Sequence, residues 1–229
     1  MARVSLAYAF HFLLLMLYLA VLRHIRNVIR RILKMDQNIH ALLQAILKKL
    51  NDMDYIRLPD IPDIDLYMDQ VTTFMDTHLS TTKRHTDDKV LTKTMINNYA
   101  KNNLLPPPTK KKYNKNHILI LSFIYYFKSI LSIKDIETIL KPLTVHHFHE
   151  DSEVDLSSIY EKIRVNAKKH MEILPKELEE LFTQTGEEEQ DATLDLFYII
   201  SQLSIEVYVK KFIIEQLIDY AEMNTSEKK

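Results

Sequence analysis

Lys93, Asn97 and Lys101 stand four residues apart, the spacing that places side chains on one face of a helix. A lysine neutralises a phosphate and releases its counterion, which contributes affinity without reading sequence. An asparagine amide pairs with a base edge, most typically that of adenine. Asn98 stands beside Asn97, so this short stretch offers both kinds of contact. A second cluster follows: Pro106-Pro107-Pro108, then Thr109, then Lys110-Lys111-Lys112 and Tyr113. The prolines fix a stiff, extended segment, and the lysines suit an edge that crosses a phosphate backbone. Tyr99 and Tyr113 bracket the proline and lysine runs. Each can reach a phosphate with its hydroxyl or pack its ring in the core, and core packing is the commoner case and the favoured one.

Other chemistries find less support. His146, His147 and His149 lie close to Glu150 and Asp151, and imidazole suits zinc, copper or nickel. Their spacing is not the four-residue pair of a helical metal site, and Pro142 lies just upstream, so a polar linker is favoured. The single glycine, Gly186, excludes the glycine-rich phosphate loops and dinucleotide fingerprints. Cysteine is absent, which removes disulfides, thiolate nucleophiles and cysteine-based zinc sites. No nucleophile motif or acid–base constellation emerges. The chain reads as a non-enzyme with no cofactor and no metal.

The elements that must hold these residues are helices. One glycine in 229 residues, against an average of about 7%, leaves few turns for a sheet-rich fold. Ile39, Leu42, Leu43, Ile46, Leu47 and Leu50 recur at helical spacing. Pro59 and Pro62 then break the chain, and Asp63 or Asp65 can cap the next helix. That helix shows Leu66, Tyr67, Val71, Phe74, Met75 and Leu79; a polar loop, "STTKRHTDDK", follows. The helix carrying the lysine stripe spans about Val90 to Asn102, with Leu91, Met95, Ile96 and Tyr99 inward. Asn103 can stand in for a helix-ending glycine, because asparagine tolerates the left-handed conformation. Leu104 and Leu105 return the chain to the core. Asn114 caps a strongly apolar helix (Ile118, Leu119, Leu121, Ile124, Tyr125, Ile130). Ser132 caps another with Ile133, Ile136, Ile139 and Leu140 inward, and Asp135 suits its first turn. Beyond residue 150 come a stretch from Leu156 to Leu181 broken near Pro175, an acidic loop, and a long helix from Leu194 to Met223. The last is apolar on more than one face, which predicts central burial or a subunit contact.

The net charge of −1 hides strong segregation. Residues 1–34 carry six bases and no acid, residues 83–117 nine bases and two acids, and residues 150–229 nineteen acids and nine bases. A basic binding surface with an acidic remainder is the reading. Val4 to Leu22 is an apolar run broken only by Ser5 and His11, at the threshold length for a membrane-spanning helix. The basic residues after it would keep the rest of the chain cytoplasmic. The alternative is an over-extended start, with translation beginning at Met35 in front of a soluble amphipathic helix.

The order helix, "NLLPPP", lysine run, tyrosine, helix and "LSIKDIETIL" resembles the winged helix-turn-helix of MerR-type regulators. Ile96, Asn97 and Asn98-Tyr99 match the Leu, Arg and Tyr pair of that family's helix. Asn103-Leu104-Leu105 matches its Gly-Leu-Leu, Lys111 and Lys112 its wing arginines, and Tyr113 its wing-ending tyrosine. The chain departs in lacking the glycine and in placing Asn97 where the relatives carry arginine. More closely, "IPDIDLYMDQVTTFMDTHL", "LTKTMINNYAKNNLLPPPTKKKY" and "ILSIKDI" are similar to domain of unknown function 1836, a bacterial family found mainly in Firmicutes. That resemblance spans about Leu58 to Leu143 and implies a MerR-like DNA-binding fold with no assigned target or effector.

The resulting expectation is a mainly α chain: an apolar and basic segment at 1–34, an amphipathic helix at 35–57, a MerR-like winged helix-turn-helix domain at 58–143, and an acidic all-helical region at 144–229. The expected function is that of a DNA-binding transcriptional regulator. Lys93, Asn97, Asn98, Lys101, Lys110, Lys111, Lys112 and Tyr113 form its duplex-DNA site, and the carboxy-terminal helices its homodimer contact. It would be cytoplasmic, or anchored in the inner membrane with a cytoplasmic domain if residues 1–34 are genuine. The competing expectation is a helical protein-interaction module, membrane-tethered if residues 1–34 are genuine, without DNA binding.

Overall fold

Among the described residues, helices form where the apolar spacing is three and four, and the strands are confined to one short pair. The computed structural model describes residues 18, 22, 23, 39–53, 55–149, 154–185 and 192–226. In chain order the elements are α1 (residues 39–52), β1 (Leu66–Tyr67), α2 (Met68–His78), α3 (Lys93–Lys101), β2 (Lys112–Tyr113), α4 (Lys115–Phe127), α5 (Ile133–His146), α6 (Leu156–Thr185) and α7 (Ala192–Ser226). Single 3-10 turns lie at Leu58–Asp60 and Ser80–Thr82. The chain is mainly α, as expected. Apart from Tyr18 and Leu22, the apolar run falls outside the described residues, as does the Met35 start. Among the described residues no helix is long and apolar enough to cross a membrane.

Contacts divide the chain into two units, residues 1–47 with 178–199, and residues 48–177 with 200–229. The first gathers Leu43, Leu178, Phe182 and Ile199 as buried apolar residues. The second holds the larger core and the candidate site. Its centre is α4, in which every residue from His117 to Ile124 is buried. Burial all round makes α4 the element on which the others pack. Val71 and Met75 of α2, Ile96 and Tyr99 of α3, Leu104 and Leu105, and Ile136 and Leu140 of α5 join the same cluster. That core runs past residue 143 to take in Phe148, Leu156, Tyr160 and Ile218. The Tyr160 hydroxyl donates to the Ile56 carbonyl at 2.9 Å, and burial pushes its pKa up to about 12.

Two caps are as the sequence suggested. Asn114 Oδ1 accepts from the His117 N–H at 3.2 Å. Ser132 Oγ accepts from the Asp135 N–H at 3.2 Å, and Asp135 returns the bond to the Ser132 N–H at the same distance. That reciprocal pair satisfies two N–H groups a helix start leaves free.

Other expectations are corrected. Neither Asp63 nor Asp65 caps α2: pairing of Leu66 and Tyr67 with β2 delays the helix start to Met68. The Gln70 side chain then accepts from the Tyr67 N–H at 2.8 Å. Met95 and Ile133, expected inward, are 37% and 46% exposed, and Ile130, counted with the apolar helix, is 41% exposed. Ile130 lies in the turn beyond α4, and Ile133 is the first residue of α5, where the chain has not yet turned onto the core. Pro142 and Pro175 lie inside α5 and α6 and end neither helix. A proline removes one N–H donor from a helix, and the flanking turns carry on around the loss. The expected linker at His146 is therefore partly helix. The long helix α7 is not centrally buried: Ile218 packs into the core, but Val207, Tyr208, Phe212, Leu217 and Tyr220 are each at least half exposed.

Candidate nucleic-acid interface

Thr92 opens α3, its hydroxyl accepting from the Met95 N–H at 3.2 Å. From there Ile96 and Tyr99 point into the core, and Lys93, Asn97, Asn98 and Lys101 are exposed. The amphipathic pattern of a nine-residue helix thus presents two lysines and two asparagine amides to solvent.

The end of α3 is set by Asn103, whose φ of 56° lies in the left-handed region. The Leu104 N–H donates to the Tyr99 carbonyl at 2.9 Å, and the Asn103 N–H to the Ala100 carbonyl at 3.3 Å. This is the Schellman arrangement, with asparagine in the place glycine usually takes. It aims Leu104 and Leu105, both buried, back at the core. The orientation of α3 and the departure of the proline segment are therefore fixed by one turn.

The lysine run is a hairpin tip. β1 and β2 pair antiparallel, Leu66 with Tyr113 and Tyr67 with Lys112, and Thr109 bridges to Lys112. The Lys112 N–H donates to the Thr109 carbonyl at 3.0 Å, closing a four-residue turn. Its two central residues, Lys110 and Lys111, have φ of 52° and 64°. Positive φ at both positions is the type I′ requirement, normally met by Asn-Gly. Lysine there is strained, and both side chains are exposed.

Lys110 and Lys111 thus project from the tip, and Lys112 lies half-buried beside β1, its ammonium 5.4 Å from the centre of the Tyr67 ring. Tyr113 is buried, as is Tyr99, and burial raises the pKa of both hydroxyls. The two clusters share one unit and are joined through Leu104 and Leu105. Among the described residues no hydrogen bond or ion pair links the α3 stripe to the hairpin lysines. Sequence reasoning missed two partners: Asp69, in the first turn of α2, which pairs with Lys93, and Tyr67 beneath Lys112. It also missed the strain at Lys110 and Lys111, because lysine carries no signal for positive φ.

His117 supports the base of the hairpin. Its ring meets the edges of Tyr113 at 5.3 Å and Phe148 at 4.9 Å, and its Nδ1 accepts from the Asn114 N–H at 3.1 Å. Burial holds its pKa down at about 4, against the opposing pull of the Pro107 and Pro106 carbonyls and Asp65. The folded state thus holds it neutral. Above pH 6.5 neither state binds the proton; below it the unfolded chain does so first, so stability falls with pH until about 4. The loss is about 3 kcal/mol. Thermal melts between pH 7 and pH 4 should show this slope, and His117→Gln, which keeps an acceptor at the same cap position, should flatten it. Equal slopes in both proteins would assign the acid loss to carboxylates instead.

Among the described residues no group of three or more histidine or acidic side chains is placed to hold a metal ion. His147 Nδ1 instead bonds the Val154 carbonyl at 2.8 Å.

These features define a helical domain built on α4, with a cationic, amide-bearing helix and a lysine-tipped hairpin on its surface. Residues 56–163 match the family model described as Domain of unknown function (DUF1836), in agreement with the resemblance drawn from residues 58–143. Neither the curated proteins nor the solved structures yield a match.

Proposed function

We propose that residues 58–143 form a MerR-like winged helix-turn-helix and that the chain is a cytoplasmic, non-enzymatic transcriptional regulator that binds duplex DNA. α3 enters the major groove, where Asn97 and Asn98 read base edges while Lys93 and Lys101 hold phosphates. The hairpin is the wing, and Lys110, Lys111 and Lys112 lie along the backbone. Tyr113 serves from the core, positioning the wing rather than touching DNA. The observation that carries this reading is the tip itself. Two lysines are held in a conformation that costs free energy and yields no packing, and such strain is retained where it serves function. The apolar, exposed side of α7 supports homodimerisation through the carboxy-terminal helices, which would match a two-fold operator.

The test is binding of the full chain to genomic duplex fragments across a salt series. Engagement of all five lysines predicts a slope of log affinity against log salt of about −4.5 per chain. Absence of retention at low salt would leave the interaction-module alternative standing.

A further inference from the structure

Lys128 ends α4 half-buried, and its ammonium donates to the Val90 carbonyl at 2.8 Å. It also stands 4.9 Å from the centre of the Tyr125 ring. No carboxylate pairs with it among the described residues. An ammonium has three donors, so one carbonyl and one ring face leave much of a half-buried charge uncompensated. Burial accordingly holds its pKa below the ordinary lysine value.

An open cleft of about 450 Å³ adjoins it, within the size range of small-molecule sites. Tyr126 and Met53 supply apolar wall. Arg84 and Lys89 add positive charge against Asp88 alone, and one oxygen of Asp88 is already engaged by the His85 N–H. The fourth cation of the lining, Lys83, is paired with Asp76 outside the cleft lining.

We propose that this cleft binds a small organic anion with a flat apolar body, its carboxylate on Lys128 and its body against the tyrosine side. Cations at the mouth draw the ligand in, and the aromatic wall selects against a bare inorganic anion. The site has a consequence for α3. Val90 lies two residues before Thr92, the cap of that helix, and its carbonyl would share the Lys128 ammonium with the bound carboxylate. Ligand and helix placement are therefore linked. Only this consequence rests on the DNA reading; the site does not.

The experiment is an amide-resolved NMR titration of the full chain, without DNA, using benzoate, benzyl alcohol and inorganic phosphate as separate probes. Benzoate should shift the Val90 and Ser129 signals saturably in the millimolar range. Benzyl alcohol and phosphate should each bind at least about tenfold more weakly, the worth of one well-placed contact. Lys128→Met should remove the benzoate response, and Arg84→Gln, at an exposed position, should weaken it. The proposal is overturned if benzoate gives no saturable shift, or if either other probe matches it. Unchanged benzoate binding by a folded Lys128→Met or by Arg84→Gln overturns it as well. Because no DNA is present, failure here leaves the DNA reading intact, and loss of that reading leaves the cleft standing.

Discussion

Replacing Lys93, Asn97 and Lys111 together with alanine should lower duplex affinity by about 100-fold or more at low salt. One base-reading amide is worth about 1–3 kcal/mol of discrimination, and each phosphate lysine removes about one unit from the salt slope. The slope should therefore fall by about 2 as affinity drops. All three side chains are exposed, so the helical signal and the melting temperature should hold. The single variants separate the roles. Asn97→Ala should relax preference at one base position, whereas Lys93→Ala and Lys111→Ala should weaken all sequences alike. Asp69→Asn supplies the opposite sign: it frees Lys93 from a carboxylate that competes with phosphate. Both partners of that pair are well exposed, so the gain should be only a few-fold. A folded triple variant that binds as the parent does would remove α3 and the hairpin from the interface. A weakened Asp69→Asn would show that Lys93 does not face phosphate.

Asn103 shows how much of this site the sequence carried. Asparagine is the residue after glycine that best tolerates left-handed φ, and it stood just past an amphipathic stretch and before two leucines. Helix end, turn and return to core were all local consequences, and so were the caps at Asn114 and Ser132. The tip at Lys110 and Lys111 was hidden for the opposite reason. Its left-handed backbone belongs to the tight turn closed between Thr109 and Lys112, and no local preference of lysine announces it. The pairing of β2 with β1, more than forty residues earlier in the chain, displaced the start of α2 and put Tyr67, not an aspartate, at its N-cap, with Gln70 reaching back to the Tyr67 N–H. Exposure erred where periodicity was applied at helix ends: Ile130 and Ile133 lie on the right spacing but at positions where the backbone has left the core. Of the cleft beside Lys128 the sequence held nothing, because it joins Val90 to a lysine 38 residues away.

The hairpin tip yields a second result in which stability and binding move in opposite directions. Lys110→Asn with Lys111→Gly places the preferred type I′ pair in a turn already closed by the Lys112–Thr109 hydrogen bond. Left-handed φ costs an ordinary residue about 1–2 kcal/mol, and glycine returns about 0.5–1 kcal/mol of that through unfolded-chain entropy. The net gain should be about 1–2 kcal/mol. For a chain of this size that raises the melting temperature by about 2–8 °C. The strand register, Leu66 with Tyr113 and Tyr67 with Lys112, needs no change. Duplex affinity should nevertheless fall at least about tenfold and the salt slope by about 2, because two phosphate-facing charges are gone. Differential scanning calorimetry and a salt-series binding assay on the same preparation measure both. A melting temperature that stays level or drops would deny the strain, and unchanged affinity would deny the wing. Only a turn retained for its charges predicts a more stable protein that binds less well.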